Sequence, residues 1–163
     1  MRVAVSSVFP CPLARIWQEV QTTRLLNYVV APLVRFQPVD PPAWPERWSE
    51  GHYRVGMTLF GFLPWGQQWI VASVTRLDTT PGQQHYELRD NGYSSLISRW
   101  DHRITIRETA GGMTHYSDTV DIRAGWLTLF VWAFAQVFYR HRQNRWRQLV
   151  ASNFAYPPEF RGP

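Results

Sequence analysis

The chain has 163 residues, 15% of them aromatic and only 18% charged, and its 17 basic residues against 12 acids are all arginine, giving a formal charge of +5. A chain of this length makes one domain with a single respectable core, and so low a charged fraction argues against intrinsic disorder. The longest nearly apolar run, Trp126 to Tyr139, is shorter than the roughly 20 residues of a bilayer-spanning helix, and a lone cysteine excludes a disulfide framework and the common Cys-rich zinc sites.

In chain order, Val3, Val5 and Phe9 keep a period of two and predict a strand over Arg2–Phe9, stopped by Pro10-Cys11-Pro12. Leu13, Ile16, Trp17 and Val20 follow the i, i+3, i+4, i+7 spacing of a short helix, with Pro12 suited to its first turn. Thr22 or Thr23 caps a second short helix through Leu25, Leu26 and Val29, closed by Pro32. Val34–Val39 reads as a strand, and Asp40–Ser49, with its prolines and tryptophans, as a loop. Strands are then expected over Met57–Leu63, Gln68–Leu77 and His85–Arg89. Their stops are Pro64 and Gly66, then Thr80-Pro81-Gly82, then Asp90-Asn91-Gly92. Leu96–Glu108 alternates most clearly: Trp100, His102, Ile104 and Ile106 fall on one face, and Arg99, Asp101, Arg103 and Arg107 on the wet one. Ala110-Gly111-Gly112 makes a hairpin turn into Thr114–Arg123, whose inner face carries Tyr116, Asp118, Val120 and Ile122. A long helix runs from about Trp126 to Asn153. The expected ordered core spans about 2–153, with the Pro-rich tail 154–163 loose. Consecutive strands joined by tight turns make an antiparallel sheet, and only the terminal helix is long enough to cover it, so the fold class is α+β. The opening Met1–Ser7 lacks the apolar stretch of a secretory signal, so a soluble, cytoplasmic protein is expected.

Four local patterns go further: Gly61-Phe62-Leu63-Pro64, Trp100-Asp101-His102, Gly111-Gly112 and Asp118-Thr119-Val120. In the element order above, they resemble bacterial ligand-binding members of the START and pollen-allergen-like superfamily (SRPBCC), which has the helix-grip fold. The resemblance implies a curved antiparallel sheet of about seven strands wrapped around a long C-terminal helix, with two short helices after the first strand. It also implies a cavity between sheet and helix for a small hydrophobic molecule, whether aromatic, polyketide-like or lipid, and no cofactor. Cyclase and dehydratase relatives imply an alternative, a lyase or isomerase using His102 and Asp118.

The first half of the terminal helix is apolar all round, carrying Trp126, Phe130, Phe134 and Phe138 among others, whereas covering a sheet takes one stripe. Three readings compete: core, cavity wall, and a membrane-surface or dimer contact. A register pairing Thr109 with Met113 sets Ile104 against Asp118 and leaves His102 on the diagonal, within side-chain reach. The pair is then a self-satisfied register lock, a polar anchor for ligand, or an acid–base couple. Trp100, His102, Tyr116, Asp118, Trp126, Phe130, Phe134 and Phe138 are the expected ligand-binding residues. Arg140, Arg142, Arg145 and Arg147, with His141, form an acid-free cluster. It is read as a solvated helix face, with anionic-membrane contact as the alternative; no motif supports nucleic-acid binding. The five histidines show no pairing for metal, no serine sits in a nucleophile elbow, and Cys11 between two prolines is packed rather than reactive.

Overall fold

Strand β1 (Arg2–Phe9) is followed by helices α1 (Leu13–Val20) and α2 (Thr23–Val30). Then come strands β2 (Val34–Asp40), β3 (Gly51–Leu59), β4 (Leu63–Asp78), β5 (His85–Ser94), β6 (Arg99–Thr109) and β7 (Met113–Arg123), and the terminal helix α3 (Thr128–Ala151). This computed structural model describes residues 1–78 and 84–160, so the Thr80-Pro81-Gly82 turn lies outside the described residues.

The strands form one antiparallel sheet in the order β1-β7-β6-β5-β4-β3-β2. Strands β2 to β7 are a meander, and β1 closes on β7, so α1 and α2 carry the chain from one sheet edge to the other. Thr22 starts α2 as anticipated, its Oγ1 accepting from the Leu25 N–H at 3.1 Å. The β6–β7 turn sets the expected register, with Thr109 opposite Met113 and Ile104 opposite Asp118. Gly111 and Gly112 hold φ of +79° and +71° there, a conformation that side-chain-bearing residues resist. Register shifts in β2, at the β3–β4 pair and near the end of β4 bend the sheet.

Helix α3 packs on β1, β7 and α2. Its anchor is Trp146, fully buried, with its ring 5.6 Å from Phe9 and 5.3 Å from Tyr116. Because the helix packs mainly on β1 and β7, it makes little direct contact with the inner faces of β3 to β5, while its Tyr139 reaches Trp100 and His102 of β6.

Several boundaries differ from the sequence reading. Strand β3 starts at Gly51 rather than Met57, and its hairpin turns at Phe60-Gly61, both at positive φ, so Pro64 and Gly66 lie inside β4. A register shift at Met57/Thr58 accommodates the proline. Asp90-Asn91-Gly92 does not stop β5, which continues to Ser94. Here the Asp90 Oδ1 accepts the Val71 N–H at 2.8 Å, and Gly92 fits because a Cβ on it would lie 2.4 Å from the Trp69 carbonyl oxygen. Strand β6 starts at Arg99 instead of Leu96, and α3 follows a single turn of 3-10 helix at Gly125–Leu127.

Charge is also distributed differently. Asp101, placed by alternation on the wet face, is buried beneath Arg89, Arg99 and Arg103. Arg89 holds it from Nε at 2.7 Å and Nη2 at 3.0 Å, and these bonds keep its carboxyl well below the usual range. The tail is docked rather than loose as far as Phe160. Tyr156 donates to the buried Glu19 at 2.8 Å, and Phe160 meets the Tyr28 ring edge-on at 5.4 Å. The arginine cluster is a solvated face only in part, since Arg140 and Arg147 are exposed and the other two are not. Arg142 is buried, Arg145 lies 3.9 Å over the Tyr28 ring, and Arg147 donates to Ser7 Oγ at 2.8 Å. Arg140 keeps an exposed position, donating to Gln136 one turn back on its own helix. No helix among the described residues is long and apolar enough to cross a membrane.

Candidate functional site

Helix α3 and the turn before it carry their cavity-facing side chains at short helical steps: Leu127, Phe130, Val131, Phe134, Phe138 and Arg142. Opposite them stand Met57 and Leu59 of β3, Gln68 and Ile70 of β4, Asp90 of β5, and Trp100 and His102 of β6. Leu26 and Val30 of α2 close one side. The space enclosed is a cavity of about 210 Å³. An apolar cavity of about 150 Å³ holds benzene, so this one has room for a one- or two-ring body. Trp65 and Phe130, both substantially exposed, stand at its mouth, while the buried His102, Tyr139 and Arg142 form its floor.

Five of the eight expected residues line this cavity: Trp100, His102, Phe130, Phe134 and Phe138. Three do not. Tyr116 and Asp118 are fully buried behind the wall, because β7 lies directly under α3. Trp126 is 82% exposed, since it sits in the turn before α3 rather than on its inner stripe. The sequence reading missed Asp90, taken for a turn residue, and Arg142, taken for a solvated one. A signal existed for the second: four residues beyond Phe134 lies Phe138, and four beyond that lies Arg142.

Asp118 organises the floor. A carboxylate only accepts, so His102 Nε2 donates to its Oδ1 at 2.8 Å, Tyr116 Oη donates to the same oxygen at 3.1 Å, and Gln143 Nε2 donates to Oδ2 at 2.8 Å. Arg142 Nη2 is 3.5 Å from Oδ1. Burial opposes the Asp118 charge, yet the Arg142 guanidinium and the His102 and Gln143 hydrogen bonds hold its pKa below the ordinary carboxylate range. Burial also lowers the pKa of His102 despite its carboxylate partner, which leaves a neutral imidazole on the cavity wall. Burial, reinforced by the Asp118 charge, raises that of Tyr116. Asp90 differs: burial pushes its carboxyl up to about 7 against the opposing Val71 N–H. Asp90, His102 and Arg142 also line a second cavity of about 60 Å³, so the three make a polar partition between two apolar spaces. Chemically, the site can enclose a ring system and offer donors at its inner end. Among the described residues, no group of three or more His, Cys, Asp or Glu is placed to hold a metal ion.

Comparison with solved structures gives the same architecture repeatedly. A START superfamily protein from Mycobacterium smegmatis is 11% identical, with 93% of this chain and 98% of that one aligned at a TM-score of 0.58. A protein from Thermus thermophilus is 12% identical over 94% and 99% of the two chains, with a TM-score of 0.60. The pollen-allergen-like Ara h 8.0201 is 14% identical over 94% and 99%, with a TM-score of 0.53. Likeness at such low identity is likeness of fold, and the fold these proteins share with this chain is the helix-grip. No protein of curated function matches the sequence. Residues 7–150 match the family model described as a domain of unknown function (DUF8410), and the chain belongs to that family.

Proposed function

We propose that the protein binds and carries a small apolar molecule with a ring or compact acyl body, held between α3 and the inner faces of β3 to β6. The cavity of about 210 Å³, apolar over most of its wall and closed at its inner end by a few polar groups, carries this reading. A helix-grip scaffold suits the role because the long helix covers only part of the sheet. The test uses a neutral two-ring fluorescent probe, 1-naphthylamine, read at the blue edge of its emission, where transfer from water to an apolar site brightens it, with the wild type and with Val131→Trp, which places an indole in the cavity. The wild type should enhance the probe's fluorescence saturably, and the variant should not while melting within a few degrees of it. Equal enhancement by both, or none by the wild type, overturns the reading.

A second feature favours release or uptake of the ligand at a lipid surface. Trp65, Leu127 and Phe130 line the cavity. Beside them in the chain, Phe62 is 78% and Trp126 82% exposed, with Phe60 and Leu129 also in solvent. Large aromatic groups left in water beside a cavity suit the bilayer interface, and the +5 charge favours an anionic one. The membrane contact proposed here lies on this rim. Arg142, Arg145 and Arg147 are engaged within the protein.

A further inference from the structure

The cavity's role as a ligand site, on which this inference rests, leaves the polar end of the ligand open. Arg142 is only 4% exposed, and its contacts with Asp118 and with Tyr116 do not use all of its donors. Its ionic contact with Asp118 is long at 3.5 Å, and Asp118 is already served by His102, Tyr116 and Gln143. Its Nε–H has no hydrogen-bond partner among the described residues. A guanidinium has five N–H groups, and withdrawing them from water without acceptors is costly. The arginine ends a helical stripe whose preceding members, Phe134 and Phe138, are aromatic, so the donors stand where a ring-containing guest would end.

The charge balance then selects the kind of acceptor. Arg142 and Asp118 cancel, and His102 is neutral. Of the other ionisable groups on this wall, burial keeps the Tyr139 phenol neutral, and Asp90, at about 7, is mostly protonated at pH 6. A carboxylate entering this set would bring an unmatched buried negative charge, whereas a carbonyl oxygen satisfies the donors and leaves the balance intact. We propose that the ligand is an uncharged ring-bearing ketone or similar carbonyl compound, with its oxygen accepting from Arg142 and its apolar body lying among Phe134, Phe138 and Trp100.

The experiment displaces bound 1-naphthylamine at pH 6 with three other naphthalenes: 2-acetonaphthone, 2-ethylnaphthalene of nearly the same shape without the oxygen, and 2-naphthoate. A hydrogen bond to a charged donor corresponds to roughly 10- to 100-fold in affinity. The ketone should therefore displace the probe at least about tenfold better than either competitor. Arg142→Met should remove the ketone's advantage, so that 2-acetonaphthone and 2-ethylnaphthalene displace the probe equally well. The charge-balanced double variant Asp118→Asn/Arg142→Met should do the same if the single variant folds poorly, and the exposed Arg140→Gln should change nothing. Equal displacement by ketone and hydrocarbon in the wild type overturns the proposal while the cavity reading stands. So does naphthoate outcompeting the ketone, or an advantage that survives loss of Arg142. Failure of the probe to bind at all removes the cavity reading and this inference together.

Discussion

Replacing Asp118 by Asn removes one charge from a side chain that is fully withdrawn from solvent and accepts from His102, Tyr116 and Gln143, with Arg142 3.5 Å away. Two costs result. The Arg142 charge loses its counterion while remaining buried, which costs about 3–5 kcal/mol. The new amide also presents N–H groups toward donors, so at least one former partner loses its acceptor. For a chain of this length a kcal/mol corresponds to roughly 2–4 °C, so Tm should fall by about 6–20 °C at pH 7. Adding Arg142→Met to Asp118→Asn should recover more than half the loss, because the stranded charge leaves with its partner. The pH dependence has a fixed sign. The folded carboxyl titrates below its unfolded value, so its contribution is complete above about pH 4 and disappears as the pH falls through the folded pKa. The gap between wild type and variant should therefore narrow toward pH 3. Thermal melts of both variants at several pH values provide the assay. A Tm change under about 2 °C for Asp118→Asn, or a double variant whose loss is the sum of the two single losses, would refute the view that Asp118 and Arg142 form one buried charge unit.

Asp90 should behave in the opposite sense. Its folded carboxyl, at about 7, holds its proton more tightly than the unfolded chain does, so its contribution is greatest below about pH 4 and falls as the pH rises through 7. Asp90→Asn keeps an acceptor for the Val71 N–H and removes the penalty. Between pH 5 and pH 8 the wild type should lose on the order of 2 kcal/mol relative to this variant, and parallel stability profiles would show that Asp90 is not held protonated. At the rim, replacing Phe62 and Trp126 together by serine should weaken co-sedimentation with vesicles containing anionic lipid by about tenfold or more, since each removes a large apolar group from the interface. Unchanged sedimentation would show that the rim does not meet the bilayer.

Local sequence made much of the fold legible because periodicity reports which face of an element meets the core. The β6–β7 hairpin is the strongest case. Two glycines fix a three-residue turn, the turn fixes the register, and the register brings His102 to Asp118 with no further information. Where the reading failed, a distant residue decided the outcome. Asp90-Asn91-Gly92 looks like a turn in isolation and is a strand because Gly92 lies against the Trp69 backbone and Asp90 takes the Val71 N–H, both on the neighbouring strand. Asp101 occupies a wet-face position and is buried because three arginines from β5 and β6 close over it.

The sequence by itself determined the element order, the antiparallel pairing and the aromatic stripe of α3, since each follows from spacing along the chain. Tertiary structure alone decided how α3 lies across the sheet, and with it which residues face the cavity. That placement buried Tyr116 and Asp118 behind the wall, put Trp126 into solvent, and brought Arg142 inward as the donor at the cavity floor. A helix position fixes an angle around its own axis. Whether that angle meets water, core or cavity depends on elements far away in the chain, whose packing no local pattern records.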